Sequence, residues 1–278
     1  MNYRHAFHAG NFADVMKHAL LARIIVYLQQ KETPLFVLDT HAGAGLYDLT
    51  ADAATRTGEW QDGIGRLAAP FTPRIEALFA PYRVALAAAR GRHGANIYAG
   101  SPLLVRELLR PDDRGLAAEL HPQDFAVLAQ ALTRGRVKAL DLDGWTALHA
   151  NVPPRERRGV VLIDPPYEAP DEMRRLVDEV TKAHDKWASG IFALWYPLKD
   201  SAATTRFARG LRATGMRKML RLELAVDSPK PGVLYGCGLV VINPPFTLET
   251  EAKALLPALA ERMAKGRSGA RVDWLVRE

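Results

Sequence analysis

Residues 159–167 have the sequence Gly-Val-Val-Leu-Ile-Asp-Pro-Pro-Tyr. The first five residues are apolar and rich in β-branched side chains, which predicts a short, buried strand. Asp164 follows the strand, and the two prolines after it carry carbonyl groups but no N–H groups. The turn therefore offers hydrogen-bond acceptors, namely the Asp164 carboxylate and the carbonyl groups around Pro165, followed by the aromatic ring of Tyr167.

This turn suits an exocyclic amine on a planar base. Two acceptors that hold both N–H bonds of the amine favour the pyramidal form of its nitrogen, whose lone pair can attack an electrophile. Tyr167 can stack on the base, a contact worth roughly 1–3 kcal/mol. The alternative is a proline-rich turn after a core strand, with Asp164 as a helix cap. Residues 243–246, Asn-Pro-Pro-Phe, have a second sequence of this kind. Features elsewhere in the chain therefore have to decide whether the turn at Asp164 is a functional site.

Two other acidic residues end predicted strands, Glu119 the strand over residues 115–119 and Asp143 the strand over residues 137–143. Glu119, Asp143 and Asp164 lie 24 and then 21 residues apart, which is the spacing of successive β–α units. The carboxyl ends of parallel strands line one crevice in an open sheet, so we expect these three carboxylates to converge. This spacing is the strongest argument in the sequence for a shared site.

A further apolar stretch opens into residues 39–45, Asp-Thr-His-Ala-Gly-Ala-Gly. The two glycines let a ligand approach the backbone closely, Asp39 can accept bonds from a ligand amine, and His41 lies within the same loop. A dinucleotide-binding fingerprint would have its third glycine where this chain has Asp48, and no Walker lysine follows. These departures argue against NAD and nucleoside triphosphates as ligands.

Two helix patterns flank the predicted crevice. The first covers residues 13–30 and carries Lys17 and His18 among apolar residues. The second begins at Ser101 and Pro102, with Ser101 predicted at the N-cap and Pro102 at the first helical position. Ser101 either caps this helix only or also serves a ligand carboxylate at the helix N-terminus.

The alternation of strands and helices predicts a Rossmann-like α/β fold with a seven-stranded, mostly parallel sheet and helices on both faces. Residues 46–98 interrupt the alternation and are expected to form a small helical insertion, with helices over residues 57–67 and 73–90. Residues 1–12 predict a structured tail that either contacts RNA through residues such as Tyr3 and His5 or only packs on the domain. Residues 1–278 are thus expected to form a single domain.

The composition limits the classes of partner. The formal net charge is +6, which favours a polyanion such as RNA or DNA, although a basic enzyme without such a partner is the alternative. The single cysteine, Cys237, allows no internal disulfide or thiolate cluster and favours the reducing cytoplasm. His5 and His8 lack acidic residues at metal-site spacing, so no metal is expected. No apolar run is long enough to predict a membrane span.

Several stretches resemble the RlmJ family of bacterial 23S rRNA (adenine-N6) methyltransferases, within the class I S-adenosylmethionine-dependent methyltransferases. They are residues 3–11 (Tyr-Arg-His-Ala-Phe-His-Ala-Gly-Asn), 38–45 (Leu-Asp-Thr-His-Ala-Gly-Ala-Gly), 119–122 (Glu-Leu-His-Pro), 162–167 (Leu-Ile-Asp-Pro-Pro-Tyr) and 193–197 (Ala-Leu-Trp-Tyr-Pro). The resemblance covers nearly the whole chain, the predicted insertion included. It also implies that residues 243–246 form a core turn rather than a second site.

The resemblance implies a set of site residues. Contacts with the cofactor S-adenosyl-L-methionine are implied for His18, His41, Ser101, Glu119, Asp143, Gly144 and Asp164. Asp164 takes the catalytic role, Tyr3, His5 and Lys17 meet the RNA, and Pro165 and Tyr167 contact the target base. Glu119 can accept hydrogen bonds from both ribose hydroxyls. Asp143 and the Gly144 N–H can recognise the edge of the cofactor adenine.

The expected substrate is 23S rRNA, protein-free or in early assembly, methylated at N6 of one adenine by a cytoplasmic monomer without membrane attachment. A DNA adenine-N6 methyltransferase shares the same site and is the principal alternative. A nicotinamide oxidoreductase would need the missing glycine of the loop, and a non-catalytic RNA-binding protein would account for the charge alone.

Overall fold

The apolar stretches of the sequence form strands that alternate with helices. The computed structural model describes residues 4–230 and 232–278. Within these ranges the strands are β1 (Phe36–Asp39), β2 (Leu46–Asp48), β3 (Ile97–Ala99), β4 (Arg114–Glu119), β5 (Val137–Asp141), β6 (Gly159–Ile163), β7 (Ile191–Leu198), β8 (Met219–Ala225), β9 (Gly236–Ile242) and β10 (Gly269–Val276). The α-helices are α1 (Phe12–Leu28), α2 (Asp52–Thr57), α3 (Glu59–Asp62), α4 (Pro73–His93), α5 (Ser101–Leu108), α6 (Pro122–Ala131), α7 (Gly144–Asn151), α8 (Glu172–Lys186), α9 (Ser201–Ala213) and α10 (Leu248–Arg262).

Eight of the strands form the central sheet, in the order β10-β8-β9-β7-β6-β1-β4-β5. The five strands from β7 to β5 in this order pair in parallel, whereas β9, β8 and β10 are joined by antiparallel pairings. The predicted α/β fold with a mostly parallel sheet is confirmed, but the sheet has eight strands rather than seven. Strand β10 lies at the edge of this sheet, and its first residues, 269–271, are exposed.

Alternate residues of the central strands enter two separate cores, which explains why these strands are apolar throughout. In β6, Val160 and Leu162 pack in a cluster with buried residues of α1, α5 and α10. Val161 and Ile163 pack on the other face with buried residues of α7, α8 and α9. Helices therefore cover both faces of the sheet, as predicted.

Residues 46–99 contain β2 and β3, which pair antiparallel with each other, and the helices α2, α3 and α4 between them. The continuous helix predicted over residues 57–67 is wrong. The structure has α3 and a 3-10 turn at Ile64–Leu67 instead, separated by Gly63. A Cβ at Gly63 would lie 2.1 Å from the carbonyl oxygen of Gly10, so this close approach of two backbone segments interrupts the helix.

Two further boundaries differ from the prediction. The strand predicted over residues 137–143 ends at Asp141, and Asp143 instead caps α7, where it accepts a hydrogen bond from the backbone N–H of Thr146. Ser101 is not an N-cap, because Gly100 occupies that position and Ser101 is the first residue of α5. None of the helices in the described ranges is long and apolar enough to cross a membrane.

Candidate active site

A cavity of about 550 Å³ lies at the carboxyl ends of β1, β4 and β6. Its wall includes every described residue that the sequence assigned to the site: His5, Lys17, His18, His41, Ser101, Glu119, Asp143, Gly144, Asp164, Pro165 and Tyr167. The remaining assigned residue, Tyr3, lies outside the described residues. Glu119 and Asp164 thus meet at one crevice at the ends of their strands, and Asp143 reaches it from the start of α7.

Asp164 belongs to a buried chain of charged groups. Lys17 Nζ, on the second turn of α1, donates to Asp164 Oδ2 at 2.6 Å and lies 3.0 Å from Asp14 Oδ1. The other oxygen of Asp14 is 2.9 Å from His5 Nε2 and accepts the backbone N–H of Gly10, also at 2.9 Å. One ammonium group therefore lies between two carboxylates and joins α1 to the end of β6.

Lys17 and Asp14 keep their charges although they are buried. Burial opposes the charge of Lys17, but attraction by Asp164 and Asp14 outweighs it and raises the pKa of Lys17 well above its usual range. Burial likewise opposes ionisation of Asp14, but His5 and Lys17 hold the pKa of this carboxyl well below its usual range. Lys17 is therefore a permanent cation and cannot serve as a general base at neutral pH.

Asp14 was not assigned from the sequence. Its only sequence signal is its position three residues before Lys17, which puts the two side chains on the same side of α1. The contact of this pair with Asp164 depends on how α1 crosses the end of β6, and no local pattern in the sequence shows that.

The turn after β6 has a defined backbone. Tyr167 is in the left-handed region, with φ of 53°, and its hydroxyl donates to the backbone carbonyl of Trp195. The rings of Tyr167 and Trp195 are 5.7 Å apart with an interplanar angle of 55°. Asp164 does not cap a helix, since α8 begins only at Glu172 and its N-cap is Asp171. The helix-cap alternative for Asp164 is therefore wrong.

The second proline-rich turn, residues 243–246, lies at the opposite end of the sheet. Strand β9 runs antiparallel to β7, and Ile242 pairs with Phe192 near the start of β7. The Asn243 side-chain amide donates to the carbonyl of Gly190 at 2.8 Å, and Phe246 is exposed. This turn therefore does not contribute to the cavity.

Glu119 is anchored at the end of β4 by two backbone donors. Its carboxylate accepts the N–H groups of Gly43 at 2.8 Å and His121 at 2.7 Å. Burial raises the pKa of the Glu119 carboxyl, although the hydrogen bonds from His121 and Gly43 act to lower it. Gly43 has φ of +61°, and a Cβ there would lie 2.3 Å from the Tyr47 hydroxyl oxygen. The glycine loop thus brings the backbone directly against this carboxylate.

The segment from Asp143 to Trp145 forms another close-packed part of the wall. A Cβ at Gly144 would lie 2.2 Å from the Thr40 carbonyl oxygen and 2.7 Å from His41 Nε2. The rings of His41 and Trp145 meet nearly edge-on, with centroids 5.2 Å apart and an interplanar angle of 70°. Gly144 is therefore the residue that lets α7 begin beside the loop of β1.

Two buried polar atoms on this side of the site have no hydrogen-bond partner in the described part of the chain, His18 Nε2 and Asp39 Oδ2. Burial lowers the pKa of His18 to about 3, so its ring is neutral near pH 7. Burial raises the pKa of Asp39 to about 6, against the opposing effects of the Ser101 hydroxyl and the Lys17 charge. His18 is part of the cavity wall, so its Nε2 can pair with a polar group of a ligand, whereas Asp39 is not among the residues that line the cavity.

Comparisons with known proteins identify the family of this chain. A family model described as Ribosomal RNA large subunit methyltransferase D, RlmJ, matches residues 32–276. The chain belongs to the RlmJ family. It is 42% identical to Ribosomal RNA large subunit methyltransferase J of Haemophilus influenzae and 40% identical to the protein of that name in Escherichia coli K12, with all of both chains covered in each case.

Among solved structures, the fold is similar to that of protein LPL1258 from Legionella pneumophila. The TM-score is 0.86 at 33% sequence identity, with 96% of this chain and 98% of that chain covered. The RlmJ family resemblance inferred from the sequence motifs is therefore confirmed over the whole chain. The cavity carries no group of three or more metal-binding side chains among the described residues.

Proposed function

We propose that this RlmJ-family chain transfers a methyl group from S-adenosyl-L-methionine to N6 of an adenine in 23S rRNA. The observation that carries the proposal is the position of Asp164. Its carboxylate ends β6, is held by Lys17 at 2.6 Å, and shares one cavity with the Tyr167 ring and the unpartnered His18 Nε2. The identity to large-subunit rRNA methyltransferases supports rRNA as the substrate class.

The residues of the cavity fit the cofactor. Glu119 offers carboxylate oxygens for ribose hydroxyls, and Asp143 and Gly144, which also line the cavity, offer a carboxylate and an N–H for the edge of the adenine. His18 and Ser101 offer donors for the methionine carboxylate. S-adenosyl-L-methionine supplies a methyl group on a positively charged sulfur, which a nitrogen lone pair can displace.

Asp164 and the Pro165 carbonyl hold the target amine. Each accepts one N–H of N6, which favours the pyramidal nitrogen and stabilises the positive charge that develops on it during transfer. Positioning by the rigid turn and by Lys17 supplies the rest of the rate enhancement. Because Lys17 stays protonated, it does not take up the proton, and N6 loses its proton to solvent after the methyl group has been transferred.

The target adenine has to leave its stack to enter the cavity. Tyr167 supplies an aromatic face for it, and the cavity lining also includes the cations Lys199 and Arg175. The formal net charge of +6 supports binding of the surrounding phosphates. We propose protein-free or early-assembly 23S rRNA as the form in which the base is accessible.

The test is incubation of the purified protein with unmodified 23S rRNA and methyl-labelled S-adenosyl-L-methionine, followed by digestion to nucleosides and mass analysis. The expected product is labelled N6-methyladenosine from RNA, with none from the Asp164→Ala variant. A parallel reaction with adenine-containing DNA tests the alternative substrate. Label in another nucleoside, or equal labelling of DNA, would overturn the proposal.

A further inference from the structure

His18 is joined to two buried tyrosines that come from residues 46–99. Its Nδ1 lies 2.8 Å from the hydroxyl oxygen of Tyr98 in β3, and the hydroxyl of Tyr82 in α4 donates to the Tyr98 oxygen at 3.3 Å. The rings of His18 and Tyr98 are 5.8 Å apart with an interplanar angle of 27°. Each of the three side chains is at most 1% exposed, so water does not compete for these hydrogen bonds.

The direction of the hydrogen bonds follows from the number of donors. The Tyr98 oxygen already accepts from Tyr82, so its own hydrogen needs an acceptor. In the described part of the chain it contacts two acceptors, His18 Nδ1 and the Tyr82 oxygen. If Nδ1 carried the proton instead, Tyr98 would have to donate to Tyr82, and the Tyr82 hydrogen would be buried without an acceptor among the described residues, which costs about 1–3 kcal/mol. In the neutral ring the proton is therefore on Nε2.

The Nε2 atom is buried, belongs to a residue of the cavity wall, and has no hydrogen-bond partner among residues 4–230 and 232–278. A neutral imidazole with its proton on Nε2 presents a donor there and no acceptor. Such a donor recognises an anionic oxygen, and in the cofactor of the proposed function the only such group is the carboxylate of the methionine part.

We propose that Tyr98 and Tyr82 are positioning residues for the cofactor: they fix His18 with its proton on Nε2, so that Nε2–H donates to the methionine carboxylate. The inference rests on the proposed function and deepens it. Neither tyrosine was assigned a role from the sequence. Residues 46–99 thereby contribute to cofactor recognition through a chain of hydrogen bonds, without a direct contact between either tyrosine and the ligand.

The first test is calorimetric binding with two ligands that differ only in the carboxylate, S-adenosylhomocysteine and its decarboxylated analogue. Tyr98→Phe keeps the ring that packs against His18 and removes the donor to Nδ1. We expect its affinity for S-adenosylhomocysteine to fall about tenfold and its affinity for the decarboxylated analogue to stay unchanged. Tyr82→Phe should give a smaller loss in the same direction. Thermal unfolding establishes that each variant is folded.

Tyr196→Phe is the matched control, since Tyr196 is buried and its hydroxyl donates to Glu223 Oε1 at 2.7 Å, outside the cavity. Its affinities for both ligands should equal those of the wild type. A second readout is the ¹⁵N NMR spectrum of labelled histidine, in which the His18 signals, assigned with His18→Gln, report the protonated nitrogen. We expect Nε2–H in the wild type and a mixture of both tautomers in Tyr98→Phe.

Three results would overturn the inference. They are a proton on Nδ1 in the wild type, an unchanged affinity of Tyr98→Phe for S-adenosylhomocysteine, or equal losses for both ligands. A wild-type protein that binds neither ligand would instead overturn the proposed function, together with the inference that rests on it. The two failures are therefore distinguishable.

Discussion

Lys17 Nζ lies 2.6 Å from Asp164 Oδ2, although the two residues are 147 positions apart in the chain. The same ammonium group is 3.0 Å from Asp14 Oδ1, and its side chain is only 7% exposed. A buried cation between two carboxylates holds both of them in place, and its removal leaves two negative charges together. The position of Asp164 thus depends on the first helix of the chain as well as on the strand that it ends.

Asp164→Asn is expected to reduce the turnover number at saturating cofactor and RNA at least about 100-fold. The amide keeps one acceptor oxygen but lacks the negative charge that stabilises N6 as positive charge develops. The measurement is single-turnover methyl transfer to 23S rRNA, with thermal unfolding as a check on the fold. Turnover within a few-fold of the wild type would remove Asp164 from the catalytic role.

Lys17→Met is expected to lower the free energy of unfolding by about 3–5 kcal/mol, because it leaves Asp14 buried without its cation. Methyl transfer by the folded fraction should also fall, since the Asp164 carboxylate is no longer held. Denaturant unfolding measures the first effect, and labelled transfer measures the second.

Arg23→Met is the matched control for this variant. Arg23 makes a bidentate pair with Glu251, both bonds at 2.8 Å, on the other end of α1 and outside the cavity. It should cost less stability, because both side chains are partly exposed, and it should leave methyl transfer unchanged. Equal effects of the two variants on methyl transfer would show that Lys17 acts only through stability.

Much of the fold and part of the site could be predicted because they follow from local sequence and a general property of parallel sheets. Glu119 and Asp164 each end a strand, and parallel strands bring such ends to one crevice. The parts that could not be predicted depend on packing between distant elements. Asp14 contributes only because α1 crosses the end of β6, and Tyr98 contributes only because β3 places it beside His18.

Gly144→Ala is expected to reduce affinity for S-adenosylhomocysteine at least about tenfold, an effect of about 1.4 kcal/mol. A Cβ there would lie 2.2 Å from the Thr40 carbonyl oxygen, so α7 or the loop after β1 has to move. Gly91→Ala is the control, since a Cβ at Gly91 has nothing within 4 Å and the residue lies inside α4. That variant should gain about 0.5–1 kcal/mol of stability without a change in affinity. Calorimetry and thermal unfolding measure the two effects, and unchanged affinity in Gly144→Ala would contradict the tight packing.

The Tyr167 ring is expected to contribute to RNA binding rather than to cofactor binding. Tyr167→Ala removes the aromatic face and should raise the KM for RNA by roughly 5- to 150-fold, as loss of a base stack worth about 1–3 kcal/mol implies. Tyr167→Phe keeps the ring and loses only the hydrogen bond to the Trp195 carbonyl, so its effect should be smaller. Steady-state kinetics with varied RNA measure both, and equal effects of the two variants would argue against stacking.

The buried neutral ring of His18 is expected to make the protein sensitive to acid. Its pKa is about 3 in the folded chain against a usual value of 6.5. Between these values the unfolded chain binds more protons, so this residue makes the free energy of unfolding fall as the pH falls below 6.5. The slope approaches about 1.4 kcal/mol per pH unit within this window.

The raised pKa of Asp39, about 6, has the opposite effect on stability. Between the usual pKa of this carboxyl and about 6, the folded chain binds more protons than the unfolded chain, so stability falls as the pH rises. Because Asp39 is present in both proteins, the difference in the free energy of unfolding between the wild type and His18→Gln reports the contribution of His18. Denaturant unfolding from pH 7 to pH 4 should show a shallower loss of stability in His18→Gln, because glutamine takes up no proton in this range. If the free energy of unfolding varied with pH in the same way in both proteins, His18 would not be the group that resists protonation. That result would also contradict the neutral His18 ring on which cofactor recognition by Nε2 depends.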